Sequence, residues 1–493
     1  MKSTDDFKEK ISQDLTHQIF QKYAYQSIDW IAQYLENMAQ YPVLAQTKPG
    51  EIKSHLPKSP PKKPESFDQI LSDFDQIIIP GITHWNHPRF FAYFSITGSI
   101  PGIIGELLSS ALNVNAMLWK TSPSATELEE VALDWLRQML GLPEKFDAVI
   151  NDTASVGSLC AMAAAREFAD LDIRKHGLTG RNDLPQLRMY TSDQAHSSIE
   201  KAAIVLGIGQ ENIRKISSDE TYRMDVAELE AAIKDDIEHG MKPICVIATI
   251  GTTSTTSVDP VDAIAAICQK YNIWFHVDAA YGGSAAVIPE IRHLFKGWEQ
   301  ADSIIVNPHK WLFTPIDCSV LFCRRPDVLK QAFSLTPEYL RTAEADEVKN
   351  YMDYGVALGR RFRALKLWMI IRSLGTGKII SIIREHISFA QKLADMIRGH
   401  SHFELLAPVP FSTLVFRFIP EKISDDSEIN NINEQLLEEI NQTGKVFLSH
   451  TKLQGKFGIR LAIGNIKTTW EDVMLAWEIV QEKAMGLGNW VIR

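Results

Sequence analysis

Apolar residues recur along this chain in two rhythms that alternate. Between about residues 100 and 330, stripes at helical spacing are separated by short continuous apolar runs. Leu128, Val131, Ala132, Trp135, Leu136, Met139 and Leu140 fall at the spacing that puts one buried stripe on a helix. Ser124-Ala125-Thr126-Glu127 ahead of them has the form of a capping box, and Gly141 with Pro143 closes the segment, so the pattern predicts a helix opening at Ser124. Residues 244–250, 273–277 and 303–306 are mainly apolar runs of strand length, as expected for parallel strands covered on both faces. Residues 261–271 carry a helical pattern between the first two, which makes a strand–helix–strand unit. Residues 188–191 read as a further strand.

The flanks differ. Residues 1 to about 45 carry helical patterning through Ile28, Ile31, Ala32 and Leu35. That segment is too small to bury its own apolar face, so it is expected to pack on a larger domain or on a partner subunit. Pro57, Pro60, Pro61 and Pro64 make residues 48–64 an extended linker. Residues 341–347 are polar and acidic and read as an exposed loop. A helical pattern follows over 358–374, and residues 413–418 read as a strand. Three units result: an N-terminal helical segment with its linker (1–98), a large α/β domain (99–374) and a smaller α+β domain (375–493).

Composition narrows the class. Of 493 residues, 45% are hydrophobic and 23% charged, as in soluble globular proteins. A net charge of −10 argues against a nucleic-acid binder, which normally shows a basic face. Polar breaks interrupt every apolar stretch before membrane-spanning length, and Met1-Lys2-Ser3-Thr4-Asp5-Asp6 lacks the apolar core of a signal peptide, so a cytoplasmic protein is expected. The five cysteines stand at no metal-ligand spacing and read as reduced, buried small hydrophobes. His84 and His87 have no carboxylate or further histidine at a supporting spacing, so no metal is expected.

The chemistry concentrates in two places. One apolar run ends in His276-Val277-Asp278, and the next leads into Asn307-Pro308-His309-Lys310-Trp311. A buried lysine can form a Schiff base with the aldehyde of pyridoxal phosphate (PLP), and a buried aspartate can keep that cofactor's ring nitrogen protonated. A charge-assisted bond of that kind contributes about 1.5–3 kcal/mol. Lys310 needs an uncharged amine to attack, and burial moves a lysine that way. His309 is placed to donate to a phosphate oxygen. Taken singly, Asp278 reads equally as a strand-end cap and Lys310 as a surface charge after a turn. Ala154-Ser155-Val156-Gly157-Ser158 opens a helix of small residues, where backbone N–H groups can approach an anion; a plain N-cap by Ser155 or Ser158 is the alternative. No GxGxxG or Walker lysine pattern accompanies it, which disfavours a dinucleotide or a nucleoside triphosphate. His196 follows the 188–191 strand and can stack on a cofactor ring or simply cap a helix. Residues 251–254 follow the 244–250 strand, where α/β sheets place ligand contacts.

Thr153-Ala154-Ser155, Asp193-Gln194-Ala195-His196-Ser197-Ser198, His276-Val277-Asp278-Ala279-Ala280-Tyr281-Gly282-Gly283 and Asn307-Pro308-His309-Lys310-Trp311 stand in the order found in group II PLP decarboxylases. The chain most resembles the aromatic-L-amino-acid decarboxylases, from about His87 to about Leu374 and more weakly to the C-terminus. The resemblance implies an α/β, fold-type I, aspartate-aminotransferase-like architecture with a large mixed sheet, and a homodimer with active sites at the subunit interface. It makes Lys310 the Schiff-base lysine, Asp278 the partner of the ring nitrogen, His196 the stacking ring and Ala280 the packing on the opposite face. By the same resemblance Ala154, Ser155, Asn307 and His309 would bind or support the phosphate, and Thr253 would lie near the ring and the substrate carboxylate.

Pro337-Glu338-Tyr339-Leu340 resembles the family's mobile catalytic loop. Its tyrosine, here Tyr339, protonates the substrate carbon after carbon dioxide leaves, typically in the neighbouring subunit's site. Related aldehyde synthases carry phenylalanine there and oxidise instead. Trp85, Tyr93, Phe94, Met117 and Gly359 correspond to the side-chain pocket. Ser95-Ile96 stands where animal members have Pro-Thr, and Met117 where phenylalanine is common. Glycine at the position of Gly359 accompanies indolic substrates in plant relatives, which leans toward tryptophan or 5-hydroxytryptophan. Arg360, Arg361 and Arg363 read as a solvated helix face without a catalytic role. Two other readings stay open: a glutamate or 2,4-diaminobutyrate decarboxylase on the same fold, and a catalytically dead regulatory relative.

Overall fold

The computed structural model describes residues 17–335 and 347–491. β1 (Asp147–Asn151), β2 (Leu187–Ser192), β3 (Ile213–Ile216), β4 (Lys242–Thr249), β5 (Trp274–Asp278), β6 (Ser303–Val306) and β7 (Ser319–Cys323) form a seven-stranded sheet in the order β1-β7-β6-β5-β4-β2-β3. β7 is antiparallel to both neighbours and the other pairs are parallel. β5 and β6 are buried at every position, and β4 at all but its first. That double burial is why their sequences are continuously apolar and not alternating.

The helices include α1 (His17–Glu36), α2 (Ile100–Leu112), α3 (Pro123–Leu140), α4 (Ala154–Phe168), α5 (Val261–Tyr271) and α6 (Ala364–Arg398). Ile304 and Val306 of β6 enter one core with Leu136 of α3 and Ile264 of α5. Ile305, between them, enters the opposite core with Ala161 and Met162 of α4. The contact of α4 with β6 is close: a Cβ on Gly157 would meet Ile305 Cδ1, which would have to turn aside. The second sheet, β8 (Phe403–Leu405), β9 (Thr413–Phe418), β10 (Ser449–Leu453) and β11 (Lys456–Ala462), is antiparallel in the order β10-β11-β9-β8. It packs against the second half of α6 through Leu393, Ile397, Phe416 and Leu461. The first half of α6 belongs to the large core through Leu367 and Ile371, so one helix joins the two units.

Several expectations need correcting. Helix α3 starts at Pro123 with Ser122 as its cap residue, not at Ser124. Proline at the first helical position has a suitable φ and loses no needed donor, while Glu127, the supposed capping-box acid, accepts from Trp119 Nε1 at 2.8 Å. Residues 358–363 are not helical: α6 begins at Ala364, then turns at Gly375 (φ +69°) and continues to Arg398. Arg360 is not on a solvated face. It is buried, paired with Glu129 at 2.5 Å, and bonded to the carbonyls of Ala116 and Ile150. The 48–64 linker contains one short helix, Glu51–His55. Helix α1 packs on residues 67–84 through Trp30–Asp75 and Tyr34–His84 bonds, with none of its own residues buried. All five cysteines are buried and unbridged. Among the described residues no helix is long and apolar enough to cross a membrane.

Two core histidines give the fold a pH dependence. His276 and His386 are 0% and 1% exposed, and burial pushes both down to about 4. Below the ordinary histidine value of about 6.5 the unfolded chain takes up protons at these rings and the folded chain does not. Their contribution is therefore complete above that value. It falls by about 1.4 kcal/mol per pH unit for each ring as the pH drops toward the folded value. Thermal denaturation followed from about pH 7 to about pH 4.5 should show a steep fall in midpoint below about pH 6.5. A flat midpoint over that range would contradict this assignment.

Candidate active site

Parallel strands end together, so the segments beyond them converge. Thr249, Asp278 and Ile305 are register partners at the carboxyl ends of β4, β5 and β6. The segments that leave these ends, and those of β1 and β2, line a cavity of about 220 Å³ that holds Thr153, Ser155, His196, Thr253, Asp278 and Lys310. Ala154, Ala280, Asn307 and His309 line it too. Every cofactor residue expected from the sequence is thus at one place, outside the carboxyl ends of the strands.

One end of the cavity suits an anion. Helix α4 starts there with Thr153 as its cap residue and without a side-chain cap, so its first N–H groups are open. Asn307 Oδ1 accepts from Ser319 Oγ at 2.6 Å, which turns its amide nitrogen into the free donor. His309 Nδ1 accepts the Cys318 N–H at 3.0 Å, so Nε2 carries the ring proton. Burial holds this ring neutral, pushed down to about 3, and it serves as a donor without a charge.

The floor is Asp278, buried at the end of β5, with Oδ1 accepting the Ala280 N–H at 3.1 Å. No basic side chain among the described residues forms an ion pair with it, so the carboxylate is available to a buried cationic N–H. Lys310 faces it from the turn after β6. Burial lowers the Lys310 amine from its ordinary value; Asp278 opposes this, and Arg460 adds to it. His196 Nδ1 accepts the Ser198 N–H at 3.2 Å, which leaves Nε2–H to point elsewhere, and burial keeps this ring below its usual value as well.

A second cavity of about 310 Å³ adjoins the first and shares Phe94, His196, Thr253 and Lys310 with it. Trp85, Tyr93 and Ile96 give it an apolar wall. Trp85 stacks on Tyr93 at 5.9 Å, and Tyr93 takes a left-handed φ of +51°. That conformation is held by Ser449 Oγ, which accepts its N–H, and by Arg460, which donates to its carbonyl. Strained backbone of this kind is often found at ligand sites.

Arg460 was not legible as a site residue. It lies in β11, is 3% exposed, stands 4.5 Å over the Phe94 ring and has no carboxylate partner among the described residues. Its Nη2 is buried with no hydrogen bond among the described residues. Burial pulls the guanidinium down to about 10, still charged at neutral pH. A buried guanidinium bonded only to carbonyls among the described residues, beside a buried amine, has the chemistry to accept a carboxylate.

Met117 and Gly359 are not brought to these cavities within one chain. Met117 packs with Leu118 and Met352, and Gly359 is exposed beside Asn115. Tyr339, with Pro337, Glu338 and Leu340, lies outside the described residues.

Residues 49–419 match the pyridoxal-dependent decarboxylase conserved domain. A tyrosine decarboxylase of Petroselinum crispum is 41% identical over 481 residues, covering 95% of this chain and 92% of that protein. A phenylacetaldehyde synthase of Arabidopsis thaliana is also 41% identical, over 485 residues, covering 96% and 98%. The crystal structure of Oryza sativa TDC with PLP and tryptamine superposes with a TM-score of 0.92 at 38% identity, covering 97% of this chain and 99% of that one.

Proposed function

The chain belongs to the pyridoxal-dependent decarboxylase family, and from that membership we propose that it converts an aromatic L-amino acid to its amine and carbon dioxide. The observation that carries the reading is the juxtaposition of Lys310, Asp278 and the uncapped start of α4 around one cavity, with the aromatic-walled cavity beside it. The donor set fits PLP: open backbone N–H groups, Ser155, Asn307 and His309 for its phosphate, Asp278 for its ring nitrogen, His196 and Ala280 for its two faces, and Lys310 for its aldehyde.

When bound, the cofactor supplies an aldehyde that takes up an amino group and a ring that accepts the electron pair left by the departing carboxylate. Asp278 holds a proton at the ring nitrogen through a charge-assisted bond. Lys310, its amine lowered by burial, is able to lose its proton and to exchange with the substrate amino group. Arg460, buried beside the amine, receives the substrate carboxylate where its charge is little screened. Trp85, Tyr93 and Phe94 take an aromatic side chain through stacked or edge contacts. A glutamate side chain would place a negative charge against the faces of the same rings, which disfavours that substrate.

The fold supports the expected homodimer. Ile100, Leu107, Leu108 and Leu112 leave α2 with an exposed apolar face, and Val356 and Leu358 are exposed as well. A second copy on that face would cover it and bring Met117 and Gly359 to the neighbouring site.

The test is incubation with the proteinogenic amino acids, DOPA and 5-hydroxytryptophan, with amines read by mass spectrometry, on a preparation sized by sedimentation. Tryptamine, tyramine or related aromatic amines from a particle of two chains are expected. Amine from glutamate or diaminobutyrate alone, or from no amino acid, would defeat the reading.

A further inference from the structure

Three rings stand in a column beneath the reactive amine, and a fourth is bonded to its edge. Phe94 lies on Tyr281 at 3.8 Å and 16°, and Tyr281 on Trp311 at 4.7 Å and 3°; the His386 ring lies beside Trp311, edge to edge, its centroid 6.4 Å away and its plane within 5°. The Phe94 ring also carries the Arg460 guanidinium at 4.5 Å and Lys310 Nζ at 5.1 Å. Both cations of the site therefore rest on one end of the column, and Lys310 is joined to its third ring, Trp311, through the backbone.

Polar bonds fix the column on one side. Tyr281 O–H meets Ser412 Oγ at 2.6 Å and the Ile463 carbonyl at 3.5 Å. Trp311 Nε1–H donates to His386 Nδ1 at 3.0 Å. With Nδ1 an acceptor, the ring proton of His386 is on Nε2, and the Asn465 backbone bonds that ring. Burial keeps it neutral, so both of its bonds persist through the working pH range. Ile463 and Asn465 directly follow β11, the strand that carries Arg460. One short stretch, residues 460–465, thus meets the column at Phe94 through Arg460 and at Tyr281 through Ile463, and meets the histidine at its edge through Asn465.

We infer that His386 is a positioning residue: through Trp311 it sets the separation of Lys310 from Arg460, and so where a substrate carboxylate lies relative to the amine. The inference rests on the decarboxylase reading, in which Arg460 receives that carboxylate. Without an acceptor on residue 386, the buried indole N–H is unpaired and the ring turns to find one. The stack above it then shifts, because closely packed rings move together.

Two variants separate this from general damage. His386→Leu removes both bonds, and His386→Asn keeps a carbonyl to accept from Trp311 and an amide to donate to Asn465. In the holoenzyme, the Leu variant is expected to raise KM about tenfold with kcat changed less than about threefold, the pattern of lost binding. Calorimetric affinity for 3-phenylpropanoate, which has the ring and the carboxylate but no amine, should fall by a similar factor. The Asn variant should restore most of both, and PLP retention should be unchanged in both. Near-ultraviolet circular dichroism of the cofactor-free protein should weaken in the Leu variant and recover in the Asn variant. If His386→Leu does not fold, Trp311→Phe, which keeps a ring and deletes the donor, takes its place with the same expected KM and analogue shifts. Unchanged KM and analogue affinity in a folded variant would overturn the inference, as would equal losses of kcat in the Leu and Asn variants. Wild-type protein inactive on every aromatic amino acid would instead sink the decarboxylase reading, and the dichroism and analogue affinity would still decide the role of His386.

Discussion

Asp278→Ala is expected to lower decarboxylation by about three orders of magnitude while PLP stays partly bound. The anion end of the cavity does not involve Asp278: the open start of α4, Asn307 and His309 are all intact in the variant. Attachment through Lys310 is intact too. The loss is confined to the buried carboxylate at the end of β5 that holds a proton on the ring nitrogen. Asp278→Asn, which keeps the shape and removes the charge, should be nearly as inactive. Single-turnover rates together with the bound-cofactor absorbance separate the two effects. Turnover within about tenfold of wild type in the Asn variant would make Asp278 a strand-end cap and nothing more.

Tyr339→Phe should change the product. Tyr339 lies outside the described residues, and its role is proposed from the resemblance of residues 337–340 to the family's catalytic loop. The variant keeps the ring and deletes one hydroxyl. No cofactor contact is assigned to that hydroxyl, so PLP binding should hold. Loss of carbon dioxide still occurs, but the substrate carbon has lost its proton donor. Dioxygen then becomes the electron acceptor, and aldehyde, ammonia and hydrogen peroxide replace most of the amine. The similarity to a phenylacetaldehyde synthase, as strong as that to a tyrosine decarboxylase, makes this outcome worth measuring in the wild type as well. Chromatography of amine and aldehyde under air, with a peroxide assay, gives the answer. Unchanged amine with no peroxide would remove Tyr339 from the chemistry.

The parts of the fold that the sequence made legible are those whose local pattern has one physical cause. Residues 261–271 and 413–418 form the expected helix and strand with the expected ends, and residues 303–306 are a strand buried on both faces. The cofactor residues were legible for a related reason: they stand in short contiguous segments that directly follow strands. Arg460 has no such signature. Gly458-Ile459-Arg460-Leu461 is ordinary strand sequence, and its arginine becomes informative only when folding places it over Phe94 without a carboxylate. His386 is one of several polar residues in a long helix, and its bond to Trp311 joins distant segments. Arg360 was misread because three arginines within four residues resemble a solvated face, whereas Glu129 and two carbonyls are buried beside it. Met117 and Gly359 were assigned by resemblance, and a single chain leaves them away from the cavities.

The account stands or falls on Lys310 as the residue that carries the cofactor. Purified protein loaded with PLP should be reduced with borohydride, digested, and its labelled peptide sequenced by mass spectrometry. The label is expected on Lys310, in the peptide that contains Asn307-Pro308-His309, and Lys310→Ala should yield no labelled peptide. A label on any other lysine, or an unlabelled digest from protein shown to bind PLP, would contradict it.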